Sequence, residues 1–395
     1  IIPGRRLTQV SYNLTGLYII KGGKIMKILL LAAANDIHSV RWANQLAENG
    51  NIIHLCYVSN HKPSKDKLNN KVFLHELKTP APYGYYLNVF QLKKLIKFIK
   101  PDILNAHYAS GYGTLGRLSG FSPYLISVYG SDVYDFPYKR KINMHIIKKN
   151  LNAADAIAST SRAMAYQTAK LINCSVSDIY ITPFGVDVNK FFKYQGYNQN
   201  KNEIIIGTIK KLSPKYGIKY GILAINYLIN HILNHEEKRL NIKYLIYGEG
   251  EEKSELEMMV KQYNLENIVE FKGRIPNIEV PKALNELDIF LATSILDSES
   301  FGVAVVEAMA CEVPVIVTDV DGFKEVVNNG KAGIMVPRKD YKRMAEEMYK
   351  LIKNPGLRKK LGEIQRKRVV EKFDWFENAN KMETIYKKLI NKNNN

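Results

Sequence analysis

Cysteine is scarce: Cys56, Cys174 and Cys311 are the only three in 395 residues. Their wide separation offers neither a disulfide framework nor a paired spacing for structural zinc. Each reads as a small buried apolar residue, and a reducing cytoplasm is the expected setting. Long apolar runs are missing too, since nowhere do about 18 such residues follow one another, so no segment reads as a membrane span. Acidic residues are in deficit, 38 against 57 Lys and Arg, for a formal net charge of +19. A field of that sign favours phosphate-bearing ligands, nucleic acid or an anionic membrane surface. The first strand is not followed by a Gly-x-Gly-x-x-Gly turn, which argues against a nicotinamide-dependent oxidoreductase.

What is present is a chain long enough for two cores, with 46% hydrophobic residues. Residues 1–25 lack the compact apolar stretch and cleavage site of a signal peptide, and read as a disordered leader or the product of an upstream start. From Lys27 onward, short apolar β-rich runs alternate with segments of helical period, the signature of βαβ units and a parallel sheet covered on both faces. The expectation is an α/β fold of two Rossmann-like, doubly wound domains facing across a cleft. The first spans 26–192, a polar linker follows at 193–202, and the second spans 203–373. Residues 374–395 form a last helix with a frayed tail. Ligands of open α/β sheets lie at the carboxyl ends of the strands, so the cleft between the two domains is the expected site.

The most informative stretch is ESFGVAVVEAMACEVPVIV, where a nearly all-apolar helix holds one carboxylate, Glu307. A buried ionisable group needs a partner. Gly302 has no side chain to block an anion, so free N–H groups at Gly302, Val303 and the following residue can cradle a diphosphate, with Phe301 just before them. Glu307, one to two turns further in, is placed to accept from ribose hydroxyls. Glu299 precedes the same turn and faces the space beyond the phosphates. In the turn GTIKKLSPKYG, Lys211 and Lys215 sit at a strand's carboxyl end, where an ammonium meets a phosphate as a compact point charge.

On these pieces, residues 203–337 resemble the C-terminal donor domain of glycosyltransferase family 4, the group 1 glycosyl transferases of GT-B fold. The matching segments are GTIKKLSPKYGI, YLIYGEGEEKSELE, VEFKGRIP and ESFGVAVVEAMACEVPVIVTDVDGFKEVV. The resemblance puts donor-sugar binding on Glu299 and ribose binding on Glu307. It puts diphosphate neutralisation on Lys211 and on Lys215 or, in strict register, Tyr216. It also points to a base pocket at Gly273, Arg274 and Ile275. The chain departs from the family pattern at Ser300, Glu312 and Asp321, where glycine is common. The N-terminal half resembles the family across PDILNAHYASGYG, ISVYGSDVYDF and ITPFGVD, which puts His107 near acceptor and donor sugar. Ser131 and Asp132 are expected on the acceptor side, and His38 and Arg41 are further acceptor-side candidates.

The resemblance implies a retaining transferase that uses a nucleoside-diphosphate sugar, UDP favoured, with a glycan or lipid-linked acceptor. No cofactor and no metal are expected, because a fixed cationic cradle does the work of Mg²⁺. Two basic amphipathic stretches, FQLKKLIKFIK and YKRKINMHIIKKN, suggest peripheral association with the cytoplasmic membrane face. The alternatives are a nucleotide-sugar epimerase or phosphorylase of the same architecture, or a basic nucleic-acid-binding module. The module is disfavoured because the positive charge is spread over many helices rather than held in one recognisable motif, so no nucleic-acid partner is expected.

Overall fold

Two parallel sheets organise the chain in a computed structural model that describes residues 25–63, 67–196, 203–235 and 240–394. Most of the leader (1–24) and part of the linker (197–202) lie outside the described residues. The N-terminal sheet holds β1 (Lys27–Leu31), β2 (Ile52–Val58), β3 (Val72–Leu77), β4 (Ile103–His107), β5 (Tyr124–Val128), β6 (Ala156–Ser159) and β7 (Ile179–Ile181). The C-terminal sheet holds β8 (Glu203–Ile209), β9 (Asn241–Tyr247), β10 (Val269–Gly273), β11 (Ile289–Ala292), β12 (Val315–Thr318) and β13 (Ile334–Val336).

Strand orders are β3-β2-β1-β4-β5-β6-β7 and β10-β9-β8-β11-β12-β13. Every residue of β4, β5, β11 and β12 is buried, as a sheet covered by helices on both faces requires. In each sheet the order reverses beside its first strand, between β1 and β4 and between β8 and β11. Such reversals open the crevices in which α/β proteins bind ligands, and here the loops after those four strands face one another.

The helices that matter for the site are α1 (Ile37–Glu48), α2 (Val89–Ile99), α3 (Lys141–Asn152), α4 (Arg162–Ile172), α5 (Val303–Ala310), α6 (Asp321–Val326), α7 (Pro355–Lys372) and α8 (Trp375–Asn394). After α7 the chain returns to the first domain, and α8 packs on its sheet. There Trp375 donates to Gln45 Oε1 at 3.0 Å, and Asn105 donates to the Tyr386 hydroxyl at 2.7 Å. Ala379, Met382 and Tyr386 join the core that holds Trp42 and Leu46. The outgoing and returning strands of chain are stitched together, because Val186 donates to Phe373 O and Trp375 to Val186 O. Phe184, Val186, Val188 and Phe191 are buried in the core of the second domain. The hydrophobic boundary therefore lies near Pro183, earlier than the polar linker that composition marks at 193.

Candidate active site

β8 ends at Ile209, and the next residue, Lys210, reaches across the mouth of the second sheet to the loop that follows β11. Its Nζ lies 3.0 Å from Glu299 Oε1 and 2.9 Å from Oε2. Burial opposes the ammonium's charge, yet Glu299 and the neighbouring Tyr216 hold its pKa above the ordinary lysine value. Lys211, the residue expected here, points the other way: its side chain is 63% exposed and pairs with Glu251 at 3.2 Å. Neighbouring residues on a nearly extended chain face opposite sides, so only one of the two lysines can enter the cleft. Lys215 follows in the same turn as Lys210. Both ammonium groups approach the Tyr216 ring, at 4.5 Å for Lys210 and 4.9 Å for Lys215, each a cation–π geometry.

Opposite these lysines stands the start of α5. Gly302 caps it with φ +85°, and an added Cβ would sit 2.5 Å from the Phe323 ring, so both backbone and space call for glycine. The N–H groups of Val303 and Ala304 have no acceptor among the described residues, as expected of a first helical turn facing a ligand site. Lys210, Tyr216, Gly302 and Ala304 line one small cavity. Phe301 is 3% exposed, held between Phe184 and Phe373, so only its backbone faces the cleft. Gly322 shapes the loop from behind: a Cβ there would lie 2.3 Å from Glu299 O.

Burial raises the Glu307 carboxyl to about 7 against the pull of Arg41, Lys210 and Lys190. Arg41, expected on the acceptor side, instead serves the junction between domains. It donates to Gly185 O at 3.0 Å, lies 4.0 Å over the Trp375 ring, and is pushed down by burial to about 10 while feeling Glu307. His38 stacks on Phe184 at 4.0 Å and is lowered by burial; it feels Asp36, Arg41 and Lys210.

His107 closes β4 and is 1% exposed. Its Nδ1 lies 3.2 Å from Ser39 Oγ, which donates to Asp36 Oδ2 at 2.9 Å. Burial pushes its pKa down to about 4, so the ring is neutral at pH 7. Asp132 accepts from the N–H groups of Ala109 (2.8 Å), Gly130 (2.9 Å) and Tyr129 (3.1 Å). Its carboxylate, expected on the acceptor side, ties the turns after β4 and β5 together. Ser131 is exposed, and beside it Gly130 faces the second domain, where a Cβ would lie 3.2 Å from Ser300 Oγ. Gly273 has φ +68° and accepts from Gly248 N; Arg274 is exposed, and Ile275 packs on the second core.

The sequence holds one Asp-x-Asp pair, Asp319 and Asp321. Both carboxylates already face cations: Asp319 meets Arg338 at 3.4 Å and Asp321 meets Lys324 at 3.0 Å. Arg338 also forks onto Asp297, at 2.7 and 3.0 Å, and so braces the loop that carries Glu299.

Residues 189–368 match the family described as glycosyl transferases group 1, and residues 27–161 match glycosyl transferase 4-like. The chain belongs to the group 1 glycosyltransferases of family 4, with a GT-B fold. Among its relatives is the N-acetyl-alpha-D-glucosaminyl L-malate synthase of Bacillus anthracis, 24% identical over 89% of this chain and 93% of that one. Its fold matches a glycosyltransferase from Rickettsia africae (TM-score 0.77, 18% identity, 93% and 99% of the two chains). It also matches Anabaena HepE, crystallised with UDP (TM-score 0.76, 16% identity, 92% and 100%).

In this glycosyltransferase the residues missed by sequence reasoning are Lys210, Asp36, Ser39 and Gly322. A signal existed for Lys210, which shares strand parity with the buried Ile206 and Thr208. Asp36 has an N-cap signature, Asp followed by Ser39 at the start of α1, with Ser39 N donating to its carboxylate at 2.9 Å. Nothing in the sequence joins Ser39 to His107, 68 residues away.

Proposed function

We propose that this enzyme moves a sugar, with retention of anomeric configuration, from a nucleoside-diphosphate sugar to a glycan or lipid-linked acceptor in cell-surface polysaccharide or glycolipid synthesis. The observation that carries the reading is the convergence of Lys210, Glu299 and the open first turn of α5 at the switch point of the second sheet. UDP is the favoured nucleotide, and the UDP complex of a protein with this fold supports that choice.

Cleaving the bond between sugar and diphosphate leaves negative charge on the departing phosphate. The Lys210 and Lys215 ammonium groups and the free N–H groups of α5 face that charge from fixed positions. Such preorganised stabilisation is worth about 3 kcal/mol per donor in comparable sites, and it makes a divalent metal unnecessary. As phosphate oxygens reach Lys210, the ammonium divides its bonds between them and Glu299, which leaves Glu299 free to accept from sugar hydroxyls. Glu307 takes the ribose. A neutral His107 at the end of β4 presents a hydrogen-bonding ring to the sugar from the other domain. The departing phosphate takes the acceptor's proton, so no side chain serves as general base.

α2 supports a membrane-borne acceptor. Its Leu92 and Ile99 turn inward to the core, while Phe90 and Phe98 are 79% and 83% exposed beside the exposed Lys93, Lys94 and Lys97. The apolar stripe of the sequence reading is thus the buried face, and a second, aromatic face is free to meet lipid. Among the described residues no helix is long and apolar enough to cross a membrane, and the attachment we propose is peripheral. The reading is tested by NMR of the product made from an α-linked UDP-sugar: an α linkage is expected, and a β linkage contradicts retention.

A further inference from the structure

A groove of about 930 Å³ runs along the junction of the domains. Its walls are α4 and β7 of the first domain and α6, the end of α7 and the start of α8 from the C-terminal part of the chain. Ala163 N donates to Glu325 across it at 3.2 Å, so the two walls are held in register.

The charges lining it do not balance. Lys324 is taken by Asp321, and Arg368 by the carbonyls of Glu325 and Val326. Arg162, Lys372 and Lys381 remain, and none of them has an ion-pair partner among the described residues. They repel one another: the Lys381 ammonium is held below the ordinary lysine value by burial and then by Arg162 and Lys372. These three cations outnumber the one lining carboxylate left, Glu325, which accepts from Ala163 N, so an anion that joins them is stabilising. The floor adds a second, independent observation. Asn378 is 6% exposed, and its Nδ2 is buried with no acceptor. A buried donor without a partner is unfavourable, and Asn378 is among the residues that line the groove. At the rim Tyr166 is 63% exposed, a flat amphipathic ring suited to the face of a sugar.

We propose that this groove is a second carbohydrate site that binds an anionic oligosaccharide strand, its phosphate or carboxylate groups held by Arg162, Lys372, Lys381 and Asn378 Nδ2 and a sugar ring lying on Tyr166. Bound there, the strand bridges both domains and keeps the growing glycan beside the cleft. The proposal takes the acceptor to be a glycan and so rests on the reading above.

The test is calorimetric titration of the full chain, saturated with UDP, with tetragalacturonate, maltotetraose, inorganic phosphate and a ten-residue deoxythymidine strand. Tetragalacturonate should bind at one site and maltotetraose should not. The R162Q/K372Q/K381Q variant should raise the tetragalacturonate dissociation constant at least tenfold, with unchanged melting temperature and UDP affinity. Tyr166→Ala should weaken tetragalacturonate several-fold and leave inorganic phosphate unaffected. Unchanged tetragalacturonate affinity in the triple variant, equal binding of maltotetraose, or tighter binding of the deoxythymidine strand overturns the proposal. Absence of UDP binding in the parent chain would count against the transferase reading instead, so the two failures are distinguishable.

Discussion

Lys210 and Glu299 are 89 residues apart in sequence and meet at 2.9 Å at the mouth of the second sheet. Their side chains are 24% and 9% exposed, so the pair is largely withdrawn from water. Removing one partner of a buried pair strands the other and costs about 3–5 kcal/mol, whereas removing both is often neutral. Lys210→Met should therefore lower both stability and turnover. K210M/E299Q should regain most of the melting temperature while turnover stays at least about a hundredfold down. Lys211→Ala, on the exposed side of the same turn, should keep turnover within about threefold, since exposed pairs contribute little. Steady-state kinetics with thermal melts check this; full activity in K210M/E299Q, or a K211A variant as impaired as K210M, would reverse the assignment of the two lysines.

The fold and most residues of the candidate site were legible in the sequence because both depend on local pattern. The short apolar β-rich runs that alternate with helical segments from Lys27 onward are the strands of the two parallel sheets, and Glu299, Gly302 and Glu307 stand out as the few non-apolar or side-chain-free positions in an apolar stretch. Residue choices that depend on direction were not legible. Two adjacent lysines look alike in composition, and only the path of the chain after β8 separates them. Arg41 and Asp132 are expected on the acceptor side, but what they touch is set by elements more than 20 residues away: Gly185 and Trp375 for Arg41, and Ala109 for Asp132. Glu312, which stands where the family commonly has glycine, does adopt a left-handed φ of +57°, so the departure replaces the residue and keeps the turn.

Glu307 makes stability depend on pH in a definite direction. Burial lifts its folded pKa to about 7, above the ordinary 4.5 of a free glutamate, so the folded chain holds a proton that the unfolded chain releases between those values. The contribution is fully present below about pH 4.5 and is lost as pH rises through about 7, for a total on the order of 3 kcal/mol. Urea denaturation at pH 5 and pH 8 should show this loss in the parent chain and a smaller one in Glu307→Gln. The same pH dependence in both proteins would remove Glu307 as its source.

Membrane attachment through α2 should require both its lysines and its aromatic face. Each basic residue near an anionic surface adds about 1 kcal/mol of attraction that salt screens. Sedimentation with vesicles containing phosphatidylglycerol should bring the protein down at low salt, and pure phosphatidylcholine vesicles should not. K93Q/K94Q/K97Q and F90S/F98S should each reduce the bound fraction severalfold. Binding that is indifferent to all five substitutions would place the contact elsewhere, and no binding to either vesicle would favour a soluble acceptor.

In the function proposed, Lys210, Lys215, Glu307 and the start of α5 form a nucleoside-diphosphate site that works without a divalent metal. Calorimetric titration of UDP in buffer containing EDTA tests it most directly. One site per chain is expected, weakened at least about tenfold by Lys210→Met and by Glu307→Ala and unchanged by Lys211→Ala. Binding that appears only when Mg²⁺ or Mn²⁺ is supplied, or UDP affinity unaltered by Lys210→Met and Glu307→Ala, would contradict it.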